Sequence, residues 1–122
     1  NAASIAGHEG FAMLGVYSAT KFAVRALTQA AAKEYASHGI TVNAFAPGVV
    51  ETDLWVTLDR DLMEMGATSV PGQAIKEFSA GIPLGRASRP EDISGTVDFL
   101  LSPASDYMTG QCLMIDGGMI MQ

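Results

Sequence analysis

Apolar and polar positions repeat with different periods along the chain, and these periods divide it into helices and strands. Between residues 15 and 37, small and apolar side chains recur at every third or fourth position, which is typical of a helix. That stripe comprises Ala19, Phe22, Ala23, Ala26, Leu27, Ala30, Ala31 and Tyr35. Gly39 follows as a C-cap. Because alanines dominate the stripe, it predicts a smooth face that packs closely against a sheet or another helix.

Three short segments predict strands. Ile40–Ala46 is rich in β-formers and ends at Pro47, Gln111–Ile115 precedes a turn at Asp116, and Asn1–Ala3 has the character of a strand end. A strand that directly follows a helix indicates an α/β architecture with a parallel sheet.

Residues 49–83 form an irregular stretch with two predicted helices, Leu54–Met65 and Gln73–Ala80, separated by Gly66–Gly72. Connections of this length are often lids over binding sites, so we interpret 49–83 as a lid or substrate loop. A further helix is predicted to begin at Pro90, with Glu91 and Asp92 in its first turn.

Composition limits the possible partners and setting. The 122 residues suffice for one domain and not for two, and the net charge of −6 comes without a basic cluster, so nucleic acid and anionic membranes are not expected partners. No apolar run reaches membrane-spanning length. The single Cys112 cannot form an internal disulfide, which favours a reducing, cytoplasmic setting. Asp53, Asp59 and Asp61 are interpreted as a solvated acidic face, and no metal is expected.

Candidate chemistry begins with Tyr17 and Lys21, which lie four residues apart on one face of the first predicted helix. At about 4.5 Å and an effective dielectric constant of about 20, an ammonium attracts a phenolate by about 4 kcal/mol. Such a pair suits a tyrosine to general acid–base catalysis near neutral pH. From the two residues alone, a packed tyrosine beside a solvated lysine is the alternative.

Other motifs agree with the catalytic interpretation, and together they resemble the short-chain dehydrogenase/reductase family. Ser4, Tyr17 and Lys21 match its catalytic serine, tyrosine and lysine in order and spacing. The remaining matches are Pro47-Gly48-Val49-Val50-Glu51-Thr52, Leu84-Gly85-Arg86, Arg89-Pro90-Glu91-Asp92 and Asp116-Gly117-Gly118.

The resemblance implies the C-terminal half of a Rossmann-like, doubly wound parallel sheet, with residues 1–122 as a single partial domain. The family's glycine-rich phosphate loop, its catalytic asparagine and the residue that selects NAD or NADP have no counterpart in this sequence. We therefore expect activity only together with an N-terminal half, in a homotetramer. NAD(H) is the expected cofactor, with NADP(H) left open.

The resemblance also implies a role for each matched residue. Ser4 would donate to the substrate oxygen, Tyr17 would transfer the proton, and Lys21 would support Tyr17 and bind the nicotinamide ribose. The implied cofactor contacts are Tyr17, Lys21, Pro47, Gly48, Val50 and Thr52. The implied substrate contacts are Ser4, Ile5, Phe11, Gly48 and Trp55.

Within the family, the detail is most similar to acetoin/diacetyl reductases, also called 2,3-butanediol dehydrogenases. The run that begins at Tyr17, the tryptophan at Trp55 and the Ile115–Met119 ending carry this similarity. Apolar Ile5 and Phe11 resemble the type that forms (S)-acetoin or the L-diol, and simple packing of their loop is the alternative. A sugar alcohol or a 3-oxoacyl thioester as substrate, or a non-catalytic half-domain, remain as other interpretations.

Overall fold

A computed structural model describes residues 1–121, and Gln122 lies outside the described residues. The chain begins with a 3-10 turn at Ile5–Gly7, which leads into the long helix α1, Gly15–Tyr35, and a second 3-10 turn at Ala36–His38. Strand β1 is Ala44–Pro47. After it come α2 (Asp53–Glu64), α3 (Gln73–Ser79), α4 (Pro90–Leu100), a 3-10 turn at Pro103–Ser105, and β2 (Cys112–Ile115).

The two strands pair in parallel, with Ala44 opposite Cys112 and Pro47 opposite Ile115. Ala2 forms an isolated parallel bridge with Phe45 on the other side of β1, so the predicted remnant at Asn1–Ala3 takes a strand position beside it. The α/β class and the parallel sheet predicted from the sequence are therefore confirmed. The centre of this sheet is a buried cluster of Ala3, Ala44 and Ala46.

Strand β1 begins four residues later than the predicted Ile40. The N–H of Val42 donates to Oγ1 of Thr109, and its carbonyl accepts from the Gly110 N–H. Both backbone groups of Val42 are therefore bonded to a side chain and a turn and are not available for strand pairing. The regular ladder begins at Ala44. Helix α1 likewise ends two residues before the predicted Ser37, since a 3-10 turn follows it and Gly39 caps that turn at φ 70°.

The alanine-rich stripe of α1 is not the face that packs in this chain. The buried positions of α1 are Ser18, Thr28 and Ala32, whereas Val16 is 84% and Leu27 66% exposed. The packed face instead combines apolar and polar contacts: Val24 packs against the cluster at the centre of the sheet, and the Thr28 hydroxyl accepts from the Asn1 side chain. No helix among residues 1–121 has the length and apolar character needed to cross a membrane.

Candidate active site

Ser4 lies between the strand position at Ala2 and the 3-10 turn Ile5–Gly7, and this turn fixes its side chain. It is the N-cap of the 3-10 turn, and its Oγ accepts from the Ala6 N–H at 3.2 Å. The turn lies tightly on α1, because a Cβ added at Gly7 would come within 2.7 Å of the Lys21 carbonyl oxygen. Arg25 donates to the Gly7 carbonyl at 2.6 Å. These contacts fix the Ser4 turn against the helix that carries the tyrosine and lysine.

Tyr17 and Lys21 occupy the first turns of α1, as the sequence predicts. The Lys21 Nζ lies 5.6 Å from the centroid of the Tyr17 ring and donates to the Ala2 carbonyl at 3.2 Å. Tyr17 is 43% exposed and lines the cavity described below. The Lys21 ammonium is therefore anchored to the strand position that precedes Ser4. It lies one helical turn along α1 from Tyr17.

The loop between the Ser4 turn and α1 is held by a serine that the sequence analysis did not single out. Ser18 is buried, and its Oγ accepts from the Phe11 N–H at 3.4 Å. The Ser18 N–H donates to the Leu14 carbonyl at 2.8 Å. Because it follows Tyr17 directly, Ser18 couples the position of the Phe11 loop to the start of α1.

The segment after β1 is fixed from two sides. The Gly48 N–H donates to the Ile115 carbonyl at 3.0 Å, and a Cβ added at Gly48 would lie 2.8 Å from the Asp116 Cβ. On the other side, Ser88 donates its N–H and its hydroxyl to the Val49 carbonyl, at 2.9 and 3.0 Å. Glycine is thus required at position 48, where the backbone comes close to Asp116, the residue that follows β2.

The base of α4 is braced by a charged pair near this segment. Arg86 forms a two-pronged ion pair with Asp92, at 2.6 and 2.9 Å, and Asp92 also accepts from the Arg89 N–H. The Arg86 hydrogen bond, followed by the Arg89 N–H, lowers the pKa of Asp92 far below its usual range. The predicted helix start at Pro90 is confirmed, and its first-turn carboxylate acts as the cap.

Helices α2 and α3 form a two-helix unit over the cavity. The rings of Trp55 and Phe78 lie 5.4 Å apart, centroid to centroid. The sequence interpretation of Asp59 as a solvated residue is wrong: it is 8% exposed and accepts from the N–H groups of Gly72, at 2.6 Å, and Ala74, at 3.1 Å. Asp59 is buried because it satisfies the open N-terminus of α3.

One cavity of about 750 Å³ brings most of the predicted residues together. Its volume lies in the range of small-molecule sites. The predicted site residues that line it are Ser4, Ile5, Phe11, Tyr17, Pro47, Gly48, Val50, Thr52 and Trp55. Lys21 is not in the lining and reaches the site through Tyr17. Residues that the sequence analysis did not assign, including Leu14, Val49, Leu54, Phe78 and Met119, complete the walls.

Comparison with known proteins shows which family the chain is similar to. The family model described as enoyl-(acyl carrier protein) reductase matches residues 1–120. The chain is 53% identical over 120 residues to L-2,3-butanediol dehydrogenase from Corynebacterium glutamicum, covering 98% of this chain and 46% of the relative. It is 49% identical over 120 residues to the (S)-acetoin-forming diacetyl reductase of Staphylococcus epidermidis, covering 98% and 47%. The chain spans about half the length of these relatives.

Solved structures give the same assignment. A Beutenbergia cavernae protein, described as an NAD(P)-dependent gluconate 5-dehydrogenase with bound NADP, superimposes with a TM-score of 0.80 at 39% identity, covering 97% of this chain and 43% of its own. An Agrobacterium tumefaciens protein, described as a 2-deoxy-D-gluconate 3-dehydrogenase with bound NADP, gives 0.78 at 37% identity, covering 98% and 44%. With a matching family model over almost its whole length, this chain belongs to the short-chain dehydrogenase/reductase family.

Proposed function

We propose that this chain is the catalytic half of an NAD(P)-dependent oxidoreductase that reduces a small diketone, such as diacetyl, to the hydroxyketone and diol. The observation that carries the proposal is the shared cavity of Ser4 and Tyr17, with Lys21 anchored one turn behind the tyrosine. The two curated relatives named for these substrates support the choice of substrate class.

The residues fit a nicotinamide cofactor. Pro47, Gly48, Val50 and Thr52 form one continuous stretch of the cavity wall, and the glycine lets the backbone lie close to Asp116. The wall is mainly apolar with a few polar side chains, which suits a flat ring beside a small ketone. When bound, the reduced cofactor would supply the hydride, with NAD(H) preferred and NADP(H) possible in the same wall.

The chain's own residues would manage the proton and the substrate oxygen. Ser4 Oγ accepts from Ala6, so its hydrogen is available to donate to a carbonyl oxygen in the cavity. Tyr17 would give its phenolic proton to the same oxygen as the alkoxide forms, and would take it back in the oxidation direction. The Lys21 ammonium would stabilise the resulting phenolate. Ile5, Phe11 and Trp55 would enclose the alkyl groups of the substrate.

A sugar acid is a second candidate, because both solved relatives are described as gluconate-type dehydrogenases. Among the described residues that line the cavity, none is a lysine, arginine or histidine that could pair with a carboxylate. The lining therefore favours an uncharged diketone over a sugar acid. We propose that residues 49–83, which include α2 and α3, act together as the substrate lid. A 3-oxoacyl thioester is bulkier than a diketone and would need more space beneath this lid.

The remaining parts of the proposal concern the whole protein. We infer that activity requires the dinucleotide-binding half of the fold, that the complete enzyme is a homotetramer, and that it works in the cytoplasm. The relatives are about twice as long as this chain, which supports the first point.

The proposal is tested in a completed enzyme, in which the N-terminal half of the Corynebacterium glutamicum relative precedes residue 1 of this chain. Loss of NADH absorbance is compared for four substrates that carry a ketone: diacetyl, acetoin, the 5-keto form of gluconate and a 3-oxoacyl thioester. We expect diacetyl to give the highest kcat/KM. Faster turnover of a sugar acid would replace the first candidate by the second. A folded chimera that binds NADH but reduces none of them would leave only the non-catalytic interpretation.

A further inference from the structure

Met119 ends the Ile115–Met119 stretch and has no role among the implied substrate or cofactor contacts, yet it lines the same cavity as Ser4 and Tyr17. It packs against a buried cluster of Val49, Ile82 and Ala87. Trp55 and Phe78, which belong to the α2–α3 unit, pack on the same cluster. The thioether is thus part of the apolar wall on the side of the proposed lid.

The backbone at Met119 is held in place by one carboxylate. Asp116 accepts from the Gly118 N–H at 3.0 Å with Oδ1 and from the Ile120 N–H at 2.8 Å with Oδ2. Its carbonyl accepts from the Met119 N–H at 3.3 Å. The turn also needs its glycines: Gly117 has φ 67°, and a Cβ there would lie 2.7 Å from Ile82. Hydrogen bonds to a carboxylate are among the stronger ones, so this turn is rigid.

The same aspartate touches the segment that we propose holds the cofactor. Its Cβ is the atom nearest to the Cβ position of Gly48, at 2.8 Å. Asp116 therefore sets the spacing between the Gly48 wall and the Met119 wall of the cavity. A change in either residue would alter the room available to a substrate that lies between them.

We infer that Met119 is a specificity-determining residue that limits the length of the alkyl group on the ketone, and that Asp116 is its positioning residue. This inference rests on the proposed diketone reduction. The long, unbranched Met119 side chain at this wall would narrow the space for the alkyl group, so a methyl group should be accepted more readily than a propyl group. One methylene in an apolar pocket changes kcat/KM by about 10- to 200-fold.

The test compares diacetyl with 2,3-hexanedione in the completed enzyme. Met119→Ala should raise the kcat/KM ratio of hexanedione to diacetyl by about tenfold or more. Met119→Leu, which conserves volume, should change that ratio by less than about threefold. Met121→Ala is the matched control, because Met121 is 79% exposed and does not line the cavity. An unchanged ratio in Met119→Ala overturns the inference.

The positioning role of Asp116 is tested by the same ratio of kcat/KM for hexanedione to kcat/KM for diacetyl. A general loss of stability would lower both values and leave this ratio unchanged. Asp116→Asn replaces one acceptor oxygen by an N–H donor and should shift the ratio in the same direction as Met119→Ala. The double variant should shift it no further than Met119→Ala alone. Asp106→Asn, at an exposed position, is the control. If Asp116→Asn lowers kcat/KM equally for both ketones, Asp116 has only a structural role and does not position Met119 for specificity.

A second measurement separates this inference from the proposed function. Methionine methyl groups are labelled with ¹³C, and diacetyl is added to the enzyme with NAD⁺, a complex in which no hydride can be transferred. The Met119 signal, assigned by its loss in Met119→Leu, should shift while the Met121 signal stays in place. If neither ketone is reduced, the proposed function fails and this shift alone decides the inference. An unshifted Met119 signal overturns it whatever the activity.

Discussion

The Lys21 ammonium stands 5.6 Å from the centroid of the Tyr17 ring and is tethered to the Ala2 carbonyl, on the strand position that leads into Ser4. This hydrogen bond therefore ties the helix of the tyrosine to the strand position that leads into the turn of the serine. The three proposed catalytic residues come from two elements, and this contact helps to keep their separation constant.

Replacing Lys21 tests whether it supports the tyrosine. In the completed enzyme, Lys21→Met should move the pH profile of acetoin or diol oxidation to higher pH, because the phenolate loses a neighbouring positive charge. Binding of NADH should weaken in a fluorescence titration. Lys33→Met, on an exposed part of the same helix, is the control. The Tyr17→Phe/Lys21→Met double variant should be little worse than either single one, and fully additive losses would contradict a joint role.

The apolar pair Ile5 and Phe11 tests the stereochemical part of the proposal. Both line the cavity, so they should hold a methyl group of the substrate and exclude a hydroxyl. Acetoin formed from diacetyl should be mainly the (S) product in chiral chromatography. Phe11→Ala should lower the (S) to (R) ratio by about 10-fold or more, the scale of an apolar contact. Met13→Ala, 70% exposed in the same loop, should leave the ratio unchanged, and an excess of (R) product from the parent would contradict the proposal.

Replacing Asp59 tests whether its carboxylate joins α2 to α3 in the proposed lid. Asp59→Asn removes the charge from two hydrogen bonds, one buried and one partly buried, and should lower the free energy of unfolding by about 1–3 kcal/mol. Amide hydrogen exchange at Gly72 and Ala74 should accelerate, and KM for diacetyl should rise. Asp61→Asn, with a side chain 51% exposed, should do neither. Unchanged exchange in Asp59→Asn would show that this carboxylate does not join α2 to α3.

Local signals along the chain predicted the elements well, and long-range contacts account for what was missed. The start of α4 was readable because its signals, Pro90 and Asp92, lie within one turn of sequence. The burial of Asp59 could not be predicted in this way, because its hydrogen-bond partners lie 13 and 15 residues further along the chain, beyond the end of its own helix. Met119 was missed for the same reason: its position depends on how the turn at Asp116 packs against Gly48.

Periodicity also has a limit that α1 illustrates. The alanine stripe predicted the helix and marked a packing face, but the spacing of residues does not say what covers that face. Within residues 1–121 this face is open, with Phe22 and Leu27 exposed, while polar Ser18 and Thr28 are buried. Candidate site residues could be proposed from the sequence because family motifs are local in sequence, whereas the partners of an open face are not encoded locally.

The open face leads to a prediction for the 122-residue chain alone. Exposed apolar residues on α1 should drive association, so sedimentation velocity should show species larger than a monomer. Leu27→Lys should reduce association, whereas Val70→Lys, 55% exposed in the α2–α3 connection, should not. NADH should bind weakly at best. A well-folded monomer that binds NADH at micromolar concentration would contradict the requirement for a second half.

The most direct test of the account is the turnover of Tyr17→Phe in the completed enzyme with NADH and diacetyl. The variant keeps the ring and loses only the acidic hydroxyl, so kcat should fall by at least about 100-fold. The Kd for NADH should stay close to that of the parent, and Tyr35→Phe, on the same helix and 47% exposed, should retain full activity. Wild-type turnover by Tyr17→Phe would contradict the central claim that Tyr17 transfers the proton.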